Sequence, residues 1–467
     1  MPWKRTAAYG RSSATAASTH TVASPNDGAS KNMSKSIQST CKPPLRVIVV
    51  GMGVRSMIYS SVALTNPELL QIVGVVDIDP KRREYARLTF GLDDEQCFCT
   101  VDELVAVPKY ADAVINGTMD KLHVSTSLPL LRHGYDMLLE KPFALNEAEA
   151  DVLLQCAQET GRTVMVCHVL RYAPFYQRIK QVLHSGEIGR VINIQMTAQV
   201  NYFHESVSFV RGKYASAEIC GSGMLLTKCS HDLDLMAWLM GDNHPQRICS
   251  VGSMYQFVPA HAPEGAGTHC LNDCPVAKDC PYSARRLYIE NPQRWADNVW
   301  YDSNCAPPET KEEKEMLLSS PNNPYSRCVY RCETDIVDHQ SVLLQFNDGA
   351  TGTFSMTGGA SASTRNIHII GTRGELYGNF ESGRFTISHI APEAPTGRVQ
   401  HMVDISASQE GCHHGGGDRE VVLDFIAHLR GEPTSSGKTL LQDSINGHRI
   451  VFLAEKSRLA NGAVQEW

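Results

Sequence analysis

Short apolar runs alternate with charged, helix-like stretches through the first third of the chain. The runs "LRVIVV" from Leu45, "QIVGVV" from Gln71 and "AVIN" from Ala113 each have the length of one strand. The segment "YDMLLEKPFALNEAEADVLLQCAQETG" repeats the alternation and is followed by "TVMVCHVLRY". Short buried strands separated by helices indicate βαβ units and a parallel sheet. The pattern therefore predicts an α/β domain over residues 45–167.

The pattern changes to turn-linked strands after Gly189. The runs "RVINIQMTAQVNYF", "VDHQSVLLQFNDGATGTFSMTGG" and "NIHIIGTRGELYGNF" are strand-like, and Asn347-Asp348-Gly349 has the composition of a hairpin turn. Successive strands joined by turns indicate a large, mostly antiparallel sheet. We expect an α+β domain over residues 168–467, with a cysteine-rich insert at 260–332.

The first 44 residues have a different composition. Up to residue 42 they hold six Lys/Arg against the single acid Asp27, with few large apolar groups. Such a segment cannot bury enough surface to offset its ordering entropy, so we expect a disordered tail. Its basic, hydroxyl-rich composition is also compatible with an organelle transit peptide over residues 1–42.

The overall composition limits the classes of partner. The 467 residues are 42% hydrophobic and 20% charged, with a net charge of -7. An acidic surface disfavours nucleic acid and anionic lipid, and no apolar run approaches the roughly 18 residues of a membrane span. Most of the fifteen cysteines stand singly in apolar runs, which indicates a reducing, cytoplasmic location.

The loop after the first strand predicts a dinucleotide site. Gly51, Gly53 and Ser56 form a G-x-G-x-x-G fingerprint with serine at the third position, where only a small side chain is required. Asp77 ends the second strand, and a carboxylate there accepts hydrogen bonds from ribose hydroxyls and repels a 2'-phosphate. The pattern favours NAD, although Lys81 and Arg82 keep NADP as an alternative.

Several separated motifs resemble the Gfo/Idh/MocA family of oxidoreductases, which includes glucose-fructose oxidoreductase and inositol dehydrogenases. They are "EKP" at Glu140-Lys141-Pro142, "NGTMDKLHV" at 116–124, the crossover "HVLRYAPFYQRIKQVLHSGEIGRV" at 168–191, and "GCHHGGGD" at 411–418. The resemblance implies a Rossmann domain followed by a substrate domain that often mediates oligomers. We therefore expect a homo-oligomer, either a dimer or a tetramer.

The resemblance places the EKP lysine beside the nicotinamide and the substrate hydroxyl. Oxidation of a secondary alcohol requires removal of the hydroxyl proton as hydride leaves carbon, and Lys141 can supply a base or an alkoxide-stabilising charge. The expected cofactor-binding residues are Gly51, Gly53, Ser56, Asp77, Thr118, His123, Glu140 and Lys141.

The segment "GMLLTKCSHDLDLMAWLMG" at 223–241 places polar residues in an otherwise apolar helix. His231 aligns with the catalytic histidine of the family. Thr227, one helical turn earlier, stands where the family commonly carries Asp. We expect Lys228 and Asp232 to take over part of that role, because neighbours three or four positions apart on a helix can reach one another. The positive charge of Lys228 also keeps neighbouring bases neutral. The expected catalytic residues are Lys141, His231 and Lys228.

Residues near the domain crossover are candidates for binding substrate hydroxyls. Asp234 matches an acid of the family on the same helix and is more typical of a helix anchor. Arg171 is as well suited to holding the domains together as to binding substrate. The expected substrate-binding residues are His168, Arg171, Tyr172, Asp232 and His414, with His413 and Asp418 near them by resemblance.

The insert carries the spacing of a thiolate metal site. Its segments "HCLNDCPVAKDCPYSARR" and "YSRCVYRCETDIVDHQ" supply the expected ligands Cys270, Cys274, Cys280, Cys328 and Cys332, with Cys305 in reserve. Four or more thiolates around an irregular loop suit a structural zinc ion. An iron-sulfur cluster, free thiols and a redox disulfide are alternatives.

The motifs together predict an NAD(P)-dependent dehydrogenase acting on a secondary hydroxyl or ketone of a sugar, cyclitol or glycoside. Two alternatives share the fold: a glycosidase that oxidises, eliminates and re-reduces with retained NAD, and a catalytically silent nucleotide-sensing regulator. Lys141 and His231 together argue against the regulator.

Overall fold

A computed structural model describes residues 42–291, 296–301, 308–409 and 413–467. Of the tail expected over residues 1–44, residues 1–41 lie outside the described residues. Cys305 lies outside them as well. None of the helices in the described ranges is long and apolar enough to cross a membrane.

The first domain is the predicted parallel sheet flanked by helices. Its strands are β1 Leu45–Val50, β2 Leu70–Val76, β3 Cys97–Phe98, β4 Ala113–Asn116, β5 Asp136–Leu139 and β6 Val164–Val166. Its helices are α1 Val54–Ser60, α2 Val62–Thr65, α3 Pro80–Phe90, α4 Val101–Val105, α5 His123–Arg132 and α6 Glu147–Thr160. Within the described residues the order is β3-β2-β1-β4-β5-β6, with every pair parallel. The carboxyl ends of β1, β2, β4 and β5 therefore meet at one edge, which carries the nucleotide loop and the EKP motif.

The second domain is built on a larger mixed sheet. Its strands are β7 Val191–Asn201, β8 Pro245–Ser253, β9 His339–Phe346, β10 Thr351–Ala360, β11 Thr364–Gly371, β12 Gly374–Asn379, β13 Arg384–Ile390, β14 Arg398–Asp404 and β15 Gln465–Glu466. In the described part of the chain they run in the order β14-β13-β12-β11-β7-β10-β9-β8-β15, and only β7 with β10 is parallel. The predicted hairpin at 347–349 joins β9 to β10, with Gly349 at φ 92°. The predicted fold class is confirmed.

Helices of the second domain pack on the sheet, within the insert or against the first domain. They are α7 Pro174–His184, α8 Tyr202–His204, α9 Ala217–Cys220, α10 Met224–Met240, α11 Ala296–Tyr301, α12 Lys311–Ser319, α13 Ser406–Gln409, α14 Gly417–Leu429 and α15 Leu441–Leu459. Helix α10 is buried on nearly all sides, as its apolar sequence predicts. A π-helical turn, Glu205–Val210, follows α8 directly.

The chain returns to the first domain near its carboxyl end. Apolar residues of α14, including Val421 and Phe425, belong to the same core cluster as β1 and β2. Helix α15 packs along α10 on one side and reaches α6 on the other. The predicted domain boundary at 167/168 stays a prediction, and so does the oligomeric state.

Candidate active site

The loop between β1 and α1 is shaped by two close glycine approaches. Gly51 has φ 78°, and a Cβ there would lie 2.9 Å from the Gly117 carbonyl oxygen. Gly117 follows β4, and a Cβ on it would in turn overlap the Ser56 hydroxyl. The serine at the third fingerprint position therefore packs directly against the carboxyl end of β4. Gly53 faces open space, because a Cβ placed on it would have no neighbouring atom within 4 Å. The loop therefore leaves room for a ligand to approach its backbone.

Asp77 lies beside this loop at the end of β2. It is 6% exposed, and its two carboxylate oxygens accept the amides of Met52 at 2.6 Å and Asp79 at 2.8 Å. The Arg82 guanidinium lies 4.0 Å from the same carboxylate. The carboxylate is thus fixed next to the glycine loop, where the sequence predicts ribose contacts.

Thr118 lies in the loop that follows β4, and His123 is the first residue of α5. The His123 ring lies between two carbonyl oxygens, with Nδ1 2.6 Å from that of Pro142 and Nε2 3.1 Å from that of Thr118. Asn116 accepts from the Thr118 amide and hydroxyl, at 3.3 and 2.9 Å. His123 therefore ties this loop to the EKP turn.

Lys141 connects the two domains at the centre of the site. Its Nζ donates to the Thr227 carbonyl of α10 at 2.6 Å. The neighbouring Glu140 carboxylate is buried and accepts from Arg55 at 2.8 Å and from the Tyr59 hydroxyl at 2.7 Å. Burial alone would raise the pKa of Glu140, but the charges of Arg55 and Lys141 outweigh it and lower that pKa. Glu140 thus stays ionised and anchors the EKP turn.

His231 lies on α10, one turn beyond Thr227, among other histidines. Its ring centroid is 5.8 Å from that of His168 and 6.1 Å from that of His414. Burial lowers the pKa of His231 well below its usual range, and the charge of Lys141 lowers it further. Its Nδ1 has no hydrogen-bond partner among the described residues. The imidazole is therefore kept neutral, and its buried Nδ1 has a hydrogen-bonding capacity that no described residue uses.

Lys228 is the next residue after the Thr227 carbonyl that holds Lys141. Burial lowers the pKa of Lys228 to about 8, and the positive charges of Arg365 and Lys141 act in the same direction. Burial also raises the pKa of Glu205 well above its usual range, whereas the charge of Lys228 lowers it. Glu205 is 1% exposed. A carboxyl group with a raised pKa therefore lies near Lys228, whose pKa is lowered, and both shifts favour the neutral form of the group.

Asp232 follows His231 on α10, and the His414 ring, just before α14, lies 6.1 Å from the His231 ring. Asp232 is fully buried and accepts from the Arg365 guanidinium at 2.7 Å. His414 Nδ1 lies 3.0 Å from Asp418, which also pairs with Arg55 at 2.6 Å. Arg365 and His414 are each partly accessible and can contact a polar ligand. The side chain of His413 lies outside the described residues.

Arg171 and Tyr172 use their polar atoms inside the protein. The Arg171 guanidinium donates to both carboxylate oxygens of the buried Asp234, at 2.7 and 2.5 Å, and to the Asp443 carbonyl at 3.1 Å. The Tyr172 hydroxyl donates to Asp424 at 3.1 Å. These contacts support a role in joining the domains, and substrate binding by either residue stays a prediction.

Both domains match models of one protein family. Residues 45–168 match the model described as "Oxidoreductase family, NAD-binding Rossmann fold". Residues 180–440 match its companion, "Oxidoreductase family, C-terminal alpha/beta domain". The chain belongs to the Gfo/Idh/MocA oxidoreductase family. The predicted resemblance and the expectation of an NAD(P)-dependent dehydrogenase are thereby confirmed.

Curated relatives in the Gfo/Idh/MocA family are similar over different lengths. The Bacillus subtilis protein YteT, named as an oxidoreductase, is 26% identical over 371 residues, which cover 76% of this chain and 82% of YteT. Inositol 2-dehydrogenase 2 of Saccharopolyspora erythraea is 30% identical over 131 residues, covering 28% of this chain and 35% of that enzyme. Several relatives are therefore matched over less than two thirds of their length.

Solved structures of the family share the fold. An inositol dehydrogenase homologue from Azotobacter vinelandii, complexed with NAD+, has a TM-score of 0.63 at 15% identity. The superposition covers 92% of this chain and 98% of that chain. At this identity the likeness establishes the shared architecture.

A carboxylate from the first domain lies against Thr227, the position where the resemblance leads us to expect Asp. Asp120 Oδ2 accepts from the Thr227 hydroxyl at 3.5 Å, and Ser222 lies 2.8 Å from the same hydroxyl. Burial raises the pKa of Asp120, whereas His123 and Lys141 lower it. Position 227 of α10 carries no acid, but the Asp120 carboxylate, on the loop after β4, lies against it.

Sequence reasoning missed four polar residues of this cluster. Asp120 lies inside a quoted motif, but nothing in the motif marks it as facing α10. The buried His448 ring, 5.3 Å from His168, comes from α15 and has no sequence signature. The missed residues are Asp120, Glu205, Arg365 and His448.

Proposed function

We propose that this protein transfers hydride between NAD(H) and a secondary hydroxyl or ketone of a sugar or cyclitol. The observation that carries the proposal is the contact of Lys141 with Thr227, which brings the EKP lysine of the Rossmann domain to the helix that bears His231. A cation or base then lies in the same cleft as a neutral imidazole, as alcohol oxidation requires.

The residues present fit a dinucleotide. Gly51, Gly53 and Ser56 form a loop with open space beside it, and Asp77 is fixed at the loop's flank. When bound, NAD supplies a hydride acceptor at its nicotinamide ring. Asp77 supports NAD over NADP because a second negative charge near its carboxylate would be repelled, whereas Arg82 is the residue that would favour NADP.

The chain's own residues handle the proton. As hydride leaves the substrate carbon, the hydroxyl must lose its proton, and the carbon-oxygen bond becomes double. Lys141 can take up that proton or donate to the developing alkoxide, while the neutral imidazole of His231 can orient the hydroxyl. In the reverse direction the same groups return the proton to the reduced carbonyl.

The substrate class rests on the polarity of the cleft and on the relatives. Arg365, Asp232 and His414 surround His231 with donors and acceptors, which suits a ligand with several hydroxyls. Inositol 2-dehydrogenases are among the similar proteins, which supports a cyclitol or sugar. Neither argument specifies which hydroxyl reacts.

The first experiment is a substrate screen combined with one substitution. NAD reduction is followed at each member of a panel of cyclitols, aldoses and glycosides. With an accepted substrate, Lys141→Ala should lower kcat by roughly 10²–10⁴-fold, the usual contribution of general acid-base catalysis. NADH binding, measured by fluorescence, should remain close to wild type.

Lys456→Ala on the exposed side of α15 is the matched control and should change neither quantity. Unchanged turnover in Lys141→Ala would reject the mechanism. Glycoside cleavage without net NADH formation would indicate the glycosidase, and NADH binding with no turnover of any panel member would indicate the regulator.

A further inference from the structure

Four cysteines of the insert line one small cavity. Cys270, Cys274, Cys280 and Cys328 surround a space of about 10 Å³, together with apolar residues and Arg211. A space of this size holds about one atom-sized occupant. The cysteines come from two segments of the chain, so their meeting is a property of the fold.

Backbone hydrogen bonds place the two cysteine segments side by side. The Cys270 amide donates to the Ser326 carbonyl at 2.8 Å, and the Cys328 amide donates to the Thr268 carbonyl at 2.7 Å. These bonds flank an antiparallel bridge between His269 and Arg327. Cys270 and Cys328 are thereby fixed as neighbours.

A short helical turn brings the other two cysteines to the same cavity. The 3-10 turn Pro275–Lys278 separates Cys274 from Cys280, and the Cys280 amide donates to the Val276 carbonyl at 3.2 Å. Asp273 closes the loop by accepting the amides of Thr268 and His269. The loop is thus ordered by its own backbone, with both thiols directed to one side.

A buried positive charge adjoins the cavity without a carboxylate partner. Arg211 is 4% exposed and donates to the Arg327 carbonyl at 2.7 Å, to the Tyr282 carbonyl at 2.8 Å and to Cys270 Sγ at 3.5 Å. Among the described residues no acid forms an ion pair with it, and burying an unpaired guanidinium is costly. Four thiolates around a divalent ion carry a net negative charge, which would compensate Arg211.

We propose that Cys270, Cys274, Cys280 and Cys328 bind one structural zinc ion. Four thiolates and no open position are the donor set of a closed, tetrahedral zinc site. All four sulfurs lie within the described residues, and no three of them are within 4.8 Å of one another. Zinc-sulfur bonds of about 2.3 Å set a sulfur-sulfur separation of roughly 3.8 Å, so zinc binding draws the four sulfurs closer together. Each thiol releases its proton on binding.

Cys332 is outside this ligand set. It does not line the cavity, and its thiol donates to the Cys328 carbonyl at 3.2 Å. The structure thus narrows the five cysteines expected from the sequence to four.

The zinc site supports the wall of the active-site cleft. Arg211 belongs to the segment 202–223, which precedes α10 and reaches the first domain, where Lys213 Nζ contacts Met119 Sδ at 3.5 Å. The insert packs on the same segment through Phe203 and Val207. Ordering the insert therefore holds this wall in place.

Metal analysis of the full chain, purified without chelators or added metal, tests the proposal. We expect one zinc per chain and neither iron nor acid-labile sulfide. Cys274→Ser should lose zinc, whereas Cys332→Ser, from the same insert, and Cys249→Ser, from β8, should each keep it.

A second measurement is independent of whether a variant folds. A thiophilic chelator with a zinc indicator should release one zinc per wild-type chain and make four thiols newly reactive, while bound NADH reports that the Rossmann domain stays folded. Protein without zinc, zinc loss in Cys332→Ser but not in Cys274→Ser, or iron with sulfide in place of zinc would each overturn the proposal.

Discussion

Thr227 contacts the first domain through both its backbone and its side chain. Its carbonyl accepts from Lys141 and its hydroxyl contacts Asp120, so it joins the EKP lysine and a carboxylate of the first domain to α10. A hydroxyl cannot supply negative charge, but Asp120 can. We infer that Asp120 acts as a positioning residue in place of an acid at position 227.

Substitutions that move the carboxylate from position 120 to position 227 test this inference. Asp120→Asn should lower kcat by roughly 10- to 100-fold, because a hydrogen bond to a charged group contributes about 1.5–3 kcal/mol. Thr227→Asp in the wild type should also lower it, because two carboxylates then repel each other. The double variant should recover most of the loss, with the pH profile of kcat restored. A double variant no better than Asp120→Asn would assign Asp120 a purely structural role.

The sequence predicted those site residues that belong to local motifs. Lys141 and His231 were recognised because each lies in a short, distinctive segment. Asp120 was missed because its contact with Thr227 spans 107 positions, and the link between Arg55 and Asp418 spans 363. Such contacts depend on how the domains dock, which no local pattern encodes.

Helices α10 and α15 pack so closely that only glycine fits at their crossing. A Cβ on Gly447 would lie 2.6 Å from the Asp234 Cα, closer than real Cβ atoms approach. Asp234 also anchors Arg171 at the same place. The crossing therefore fixes the position of the helix that carries His231.

Gly447→Ala should destabilise the protein by about 1–3 kcal/mol, as overpacking a tight core does. Alanine is favoured over glycine in an isolated helix by up to about 1 kcal/mol, so helix propensity alone would make the variant more stable. A lower free energy of unfolding therefore reports the overpacking. Urea unfolding measures the change. Gln442→Ala, exposed on the same helix, should have little effect, and a stabilised Gly447→Ala would show that the helices can separate without cost.

The strands themselves were readable from sequence, but one pairing was not. Local alternation and turn residues predicted the β9–β10 and β11–β12 hairpins, and both are present. The parallel pairing of β7 with β10 joins segments about 160 residues apart in sequence, and alternation alone cannot specify it. The insert between β8 and β9 was recognised by its cysteines, although its helices and its apolar packing were not.

An ion pair joins α14 to the first domain, beside the apolar contacts that this helix makes with β1 and β2. Arg55 pairs with Glu140 at 2.8 Å in its own domain and with Asp418 of α14 at 2.6 Å. Burial opposes ionisation of both acids, but the charge of Arg55 prevails and lowers both pKa values. Their stabilising effect is therefore complete above the ordinary carboxyl pKa and is lost as the pH falls through the lowered values.

Arg55→Met should remove this link and leave two buried carboxylates without their guanidinium partner. We expect a loss of about 3 kcal/mol at pH 7, the lower end for breaking a buried pair, because the Arg55 side chain is 30% exposed. The two acids will have raised pKa values, so they become neutral in mild acid and the difference from wild type should shrink toward about pH 5. Urea unfolding at the two pH values measures this. Arg384→Met, which breaks the exposed pair with Asp404, should change little at either pH. An equal loss at both values would mean that Arg55 stabilises the domain contact by packing, since only the charge interaction depends on ionised carboxylates.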